Sequence, residues 1–170
     1  MRKIMVIILI ILGIILIGIL YMTLIKSEVR EKIEEREIAP NFSFTDINGN
    51  TRKLSDFRGK VVLIDFMATW CPPCKIQVQI LHELWPQYKD KNVVFLSVSV
   101  DPRDKIDMLK KYAIQNNVDW IIGVSSDAGI KYKIQYIPTL IIVDRNGRIA
   151  FKSIGVTQAS KLIEVLNREV

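Results

Sequence analysis

The chain has 170 residues, 49% of them hydrophobic, and carries 24 Lys and Arg against 18 Asp and Glu, a formal charge of +6. That length accommodates one globular domain and an appendage. Residues 26–170 hold 22 basic against 18 acidic side chains, dispersed rather than clustered with aromatics, so they read as a solvated surface and argue against a nucleic-acid partner.

Residues 4–25 are 22 consecutive uncharged positions, IMVIILIILGIILIGILYMTLI. At ~1.5 Å rise per residue, such a helix spans a ~30 Å hydrocarbon core. The run exceeds the apolar core of a cleavable signal peptide, and neither Met22-Thr23-Leu24 nor Lys26-Ser27-Glu28 makes a good small-x-small cleavage site. Residues 1–26 are therefore read as an uncleaved signal anchor with a short basic leader, Arg2 and Lys3. Gly13 and Gly18 are five apart and make no GxxxG dimer face. The expected location is the cell membrane, in a single pass with the domain that follows outside the cytoplasm, because a short basic N-terminus before a long apolar run is the signal-anchor pattern. Lys26, Arg30, Lys32 and Arg36 beyond the span count the other way. Residues 27–38 read as a charged helical stalk, with Glu28/Lys32 a favourable pair and Lys32/Arg36 a repulsive one.

Residues 39–170 read as the domain proper. A hairpin is expected from arms at 42–45 and 51–54 around the turn signal Asp46-Ile47-Asn48-Gly49. Residues 61–68 form an apolar strand, 72 to about 89 a helix, and 93–100 a second apolar strand. A helix over 103–115 presents Ile106, Leu109 and Ala113 on one face, followed by a short strand at 120–124 and a short helix at 128–133. Residues 139–144 and 148–152 pair antiparallel around Arg145-Asn146-Gly147, and 160–168 closes the chain as a helix. Continuous apolar strand runs predict an α/β domain whose sheet is covered on both faces. Trp85 and Trp120 read as core aromatics.

The chemistry gathers at Trp70-Cys71-Pro72-Pro73-Cys74, which holds the only two cysteines and lies where a strand hands over to a helix. Proline costs little in a first helical turn, whose N–H groups have no intrahelical partner. This puts Cys71 at the cap and Cys74 one turn on, close enough for a disulfide. A thiol facing the helix N-terminus ionises more readily than its free value of ~8.5, and the thiolate is what attacks disulfides. Cys71 is read as the nucleophile and Cys74 as the buried resolving thiol. A structural disulfide over so short a ring constrains the unfolded chain very little. A zinc site normally needs four ligands, and the chain offers these two cysteines and His82. No metal or cofactor is expected, and His82, two turns along the helix, reads as a helix-face residue.

Residues 61–74 and Tyr136-Ile137-Pro138-Thr139 resemble the active-site strand, motif and proline loop of the thioredoxin superfamily. From Ala39 onward the chain looks most like the membrane-anchored TlpA/ResA-like branch, through Ala39-Pro40-x-Phe42, the Leu54…Gly59-Lys60 approach and the insertion between Val100 and Tyr136. The resemblance implies a thioredoxin-like α/β fold with a central mixed sheet, an N-terminal hairpin and a central α-β-α insertion. It implies a redox-active Cys71–Cys74 disulfide, Trp70 shielding the motif, and a cis bond before Pro138. Ile137, Pro138 and Thr139 would receive an extended client segment. It also implies protein disulfides or dithiols as substrates, a membrane or soluble thiol redox partner, and a link to cytochrome c biogenesis.

Two positions depart from that branch. Asp65, six residues before Cys71, stands where thioredoxins proper carry a buried acid and TlpA-like members often have Asn. Burial would raise its pKa towards a proton-shuttle value, so it is a candidate acceptor for the Cys74 proton. The lysine that thioredoxins proper place beside that acid corresponds here to Ser97. Gln77 stands where ResA-like chains often carry a glutamate, and it cannot titrate, which weakens dedication to cytochrome c maturation. The expected activity is membrane-tethered protein-disulfide exchange, in the reducing direction. A thiol peroxidase would want Pro-x-x-x-Thr-x-x-Cys, whereas Thr69 lies only two residues before Cys71. A Cu(I) carrier of this fold would want a later histidine, and none follows His82.

Overall fold

The structure, a computed structural model, describes residues 2–170. The side chains of Ile4, Val6 and residues 30–34 lie outside that description, and with them the expected pairs through Lys32. The chain divides into Met1–Arg36 and Glu37–Val170.

In the first unit, α1 (Arg2–Glu34) is a single helix. Its stretch Ile7–Val29 is long and apolar enough to cross a membrane. The helix runs unbroken through residue 26, where the anchor is expected to give way to a helical stalk. Thr23 and Ser27 return their hydroxyls to the carbonyls of Leu20 and Leu24, at 2.7 and 2.8 Å, which satisfies polar groups inside the helix.

The second unit is built on one seven-stranded sheet, β1 (Ser43–Asp46), β2 (Thr51–Lys53), β3 (Val61–Met67), β4 (Val93–Ser99), β5 (Ile121–Val124), β6 (Thr139–Val143) and β7 (Ile149–Ile154). The order across it is β2-β1-β5-β4-β3-β6-β7. The central β3, β4 and β5 are parallel, and the outer strands pair antiparallel. Every residue of β3 and β6 is buried, as continuous apolar runs require. Alternation then sorts β3 between two cores. Val61, Leu63 and Met67 face α2 (Pro72–Tyr88), α3 (Ile106–Gln115) and α5 (Ala159–Glu169). Val62, Ile64 and Phe66 face the other way, towards Phe42, Phe44, a 3₁₀ turn (Leu54–Phe57) and the region of α4 (Ala128–Lys131). By the same alternation Asp65 lies on the face under α2.

Two helices are shorter than their sequence pattern. α3 starts at Ile106 rather than 103, because Asp104 spends its carboxylate on Thr69 and Ser99. α4 ends at Lys131 rather than 133, where Lys133 turns to φ 50°. Pro86 lies in the last turn of α2, where it removes the N–H that would bond the His82 carbonyl. Gly123 meets a different constraint: a Cβ there would stand 2.5 Å from the Thr45 carbonyl oxygen, so glycine permits β1 to pair with β5.

Candidate active site

Cys71 caps α2, and Pro72 and Pro73 fill its first turn. The two cysteines are joined in a disulfide, with Cα atoms 5.3 Å apart. The Cys74 N–H donates to Cys71 Sγ at 3.2 Å, so that sulfur takes a free donor at the positive end of the helix. Cys74 is fully buried and Cys71 is 2% exposed. The proline loop closes over the first sulfur: the Ile137 carbonyl oxygen lies 3.9 Å from Cys71 Sγ, and the Ile137–Pro138 peptide is cis. Thr139 is buried and donates its hydroxyl to the Tyr136 carbonyl at 2.7 Å, which fixes the loop from behind.

Asp65 does not reach solvent; it is 0% exposed in the middle of β3. Burial pushes its carboxyl up to about 7, against a smaller opposing pull from the Ser97 hydroxyl, which donates to Oδ2 at 3.2 Å. Ser97 stands directly opposite Asp65 in the β3–β4 register and in turn accepts Trp120 Nε1–H at 2.9 Å. Asp65 Oδ1 and the Tyr112 hydroxyl are both buried with no hydrogen-bond partner among the described residues. Burial, reinforced by the nearby Asp65 and Asp104 carboxylates, pushes the Tyr112 phenol above its ordinary value.

Trp70, beside the disulfide in sequence, is 57% exposed. Its indole N–H donates to Asp101 at 2.6 Å, and the Arg103 guanidinium lies 5.7 Å from the ring centroid. Hydrogen bonds from Arg103 hold the Asp101 carboxyl well below the usual carboxylate range. Gln77, read from sequence as the loss of an acid, is fully buried. Its amide accepts Thr157 N–H at 2.7 Å and donates to the Thr157 carbonyl at 3.4 Å, tying α2 to the segment before α5. His82 is half-buried on the helix face. Sequence reasoning passed over Asp101 and Asp104. The available signal was the register: β3 and β4 end side by side at Met67 and Ser99, so residues 68–71 and 100–104 must be neighbours.

A mixed sheet that presents a Cys-x-x-Cys disulfide at a helix N-terminus defines a thioredoxin-like thiol-disulfide oxidoreductase. Residues 36–152 match the AhpC/TSA family. The thiol-disulfide oxidoreductase ResA of Bacillus thuringiensis is 31% identical over 140 residues, covering 81% of this chain and 80% of that one. A thiol:disulfide interchange protein from Bacteroides sp. superposes with a TM-score of 0.68 at 28% identity, over 78% of this chain and 90% of that one. The thioredoxin domain of a thiol-disulfide oxidoreductase from Bacteroides vulgatus gives 0.67 at 27% identity, over 78% and 94%. The chain belongs to the AhpC/TSA family, as a ResA-like thiol-disulfide oxidoreductase.

Proposed function

We propose that the chain is a protein-disulfide reductase. Residues 1–26 tether it to the cell membrane, residues 27–38 hold it off the surface, and residues 39–170 work outside the cytoplasm. The observation that carries the reading is Asp65, fully buried on the face that also holds Cys74, with its carboxyl pushed up to about 7. An acid titrating near neutrality on the sheet face under α2, whose first turn holds Cys74, supports resolution by Cys74.

In the forward cycle the Cys71 thiolate attacks a client disulfide; one client sulfur bonds to Cys71 and the other leaves as a thiolate. Cys74 passes its thiol proton to the Asp65 carboxylate, and the new thiolate attacks Cys71 Sγ. The Cys71–client bond breaks, the second client thiolate leaves, and the Cys71–Cys74 disulfide is restored. Two electrons have passed to the client, and a dithiol partner, membrane-bound or soluble, returns them. Trp70, Ile137, Pro138 and Thr139 form the client side. The exposed rings of Trp70 and Tyr136 offer apolar surface around a nearly closed disulfide, and Thr139 acts by shaping the loop.

Two measurements on the full chain in detergent micelles test this. A Cys74→Ser variant should trap a disulfide-bonded client protein as a covalent adduct on Cys71, released by dithiothreitol. Equilibration of the wild type with glutathione should give a potential near the ~−270 mV of thioredoxin; a value near ~−120 mV assigns it to oxidation and overturns the direction.

A further inference from the structure

We propose that Asp104 is the positioning residue of the redox turn: its carboxylate holds the Thr69–Cys71 segment so that Cys71 enters α2 with its sulfur on the Cys74 N–H. This rests on Cys71 being the attacking thiol.

The sheet itself stops supporting the turn just before it matters. Met67 and Ser99 are the last registered pair of β3 and β4, and the Val100 N–H closes on the Met67 carbonyl at 3.1 Å. Beyond that point Cys71 is tied back by its own N–H to the Ala68 carbonyl at 3.2 Å. Asp104 supplies the cross-link from the neighbouring loop. Its Oδ2 accepts the Thr69 N–H at 2.9 Å and the Ser99 hydroxyl at 2.6 Å, while Oδ1 accepts the Thr69 hydroxyl at 2.6 Å. The residue is 4% exposed, so these charge-assisted bonds act where water competes little. Two of the three end on Thr69, two residues before the nucleophile. Fixing both backbone and side chain of one residue leaves that short segment little freedom to swing. The neighbouring Asp101 repeats the device one residue further on, taking the Trp70 indole.

The geometry has a chemical consequence. The Cys71 thiolate keeps its stabilisation only while Sγ stays within reach of the Cys74 N–H and the helix end. A looser turn gives a less acidic thiol. An effect of Asp104 through its charge alone has the opposite sign, because removing a nearby negative charge makes the thiol more acidic. The two roles are therefore separable.

The test uses the reduced full chain in detergent micelles, with the rate of iodoacetamide alkylation at Cys71 followed against pH and the modified residue read by peptide mass. Thr69→Val removes the hydroxyl donor without changing charge, and should raise the apparent Cys71 pKa enough to slow alkylation about tenfold at a pH below it, one pH unit being a factor of ten. Thr69→Ser, which restores the donor, should stay within about twofold of wild type by the same arithmetic. Asp104→Asn should shift in the same upward direction as Thr69→Val. A downward shift in Asp104→Asn, with Thr69→Val unchanged, makes Asp104 an electrostatic group only and overturns the proposal. Wild-type titration in every variant, with only a lower unfolding temperature, reduces the contact to packing and also overturns it. Should Asp104→Asn fail to fold, the Thr69 pair decides alone. A wild-type chain that alkylates at Cys74 before Cys71 overturns both this and the cycle it rests on, a result no variant can mimic.

Discussion

At the scale of single residues the decisive feature is a carboxyl group in a fully buried strand. Asp65 keeps its proton to about pH 7 in the folded chain, because desolvation opposes the charge more than the Ser97 hydroxyl supports it. The unfolded chain loses the same proton near the ordinary value of 3.8. Between those limits the folded state binds more protons, so stability falls as pH rises through the window and the full penalty stands above about 7. Carried through, that difference is worth at most about 4 kcal/mol. Asp65→Asn should therefore be more stable than wild type at pH 8, and its denaturation midpoint should be flatter between about pH 4 and 7. Denaturant titrations of the oxidised chain in micelles read this, and an unchanged pH profile would mean that Asp65 is ionised in the fold. In the proposed cycle the same substitution removes the proton acceptor. Stopped-flow decay of a mixed disulfide on Cys71 should slow by about a hundredfold, the lower range for a positioned general base. Resolution at the wild-type rate would remove Asp65 from the cycle.

The elements explain why these residues meet. β3 delivers Asp65 and then ends, α2 begins at Cys71, and β6 starts at Thr139 behind the proline loop, so three element ends converge on one sulfur. Gln77 locks that arrangement one turn into α2. Gln77→Ala should leave the buried Thr157 N–H without its acceptor and lower stability by about 1–3 kcal/mol, read from chemical denaturation of the oxidised chain. No change would mean that the segment before α5 finds another acceptor. The strands, the hairpin turn and the start of α2 were legible because continuous apolar runs, Asp46-Ile47-Asn48-Gly49 and Cys71-Pro72-Pro73 each specify local structure. Ser97 was legible as the neighbour of Asp65 only through the resemblance to a lysine position. Asp104 was hidden because Pro102-Arg103-Asp104 reads as a helix beginning. Its partners Thr69 and Ser99 come close only when β3 and β4 lie parallel in register. Gln77 was visible as a residue but not as a contact, since Thr157 is 80 residues away. Local pattern carries elements; long-range hydrogen bonds need the fold.

For the molecule as a whole, the proposed topology puts the disulfide outside the cytoplasm. Within α1 the stretch Ile7–Val29 is long and apolar enough to cross a membrane. Replacing Leu12 and Leu16 with lysine, at roughly 3 kcal/mol each near a bilayer centre, should release the chain from membranes washed at alkaline pH. Retention would make the anchor reading wrong. Orientation is the finer issue, because the flanking charges disagree. Arg2 and Lys3 favour a cytoplasmic N-terminus, whereas Lys26, Arg30, Lys32 and Arg36 sit just past the span. The proposed topology holds only if the two leading charges outweigh the four that follow. Neutralising the leader with Arg2→Ala and Lys3→Ala should then invert a measurable share of chains, since all remaining nearby basic residues lie on the domain side. Protease added outside intact cells should digest residues 39–170 in the wild type and spare them in the inverted fraction. Protection of the wild-type domain would place the chemistry in the cytoplasm and require its dithiol partner to be found there.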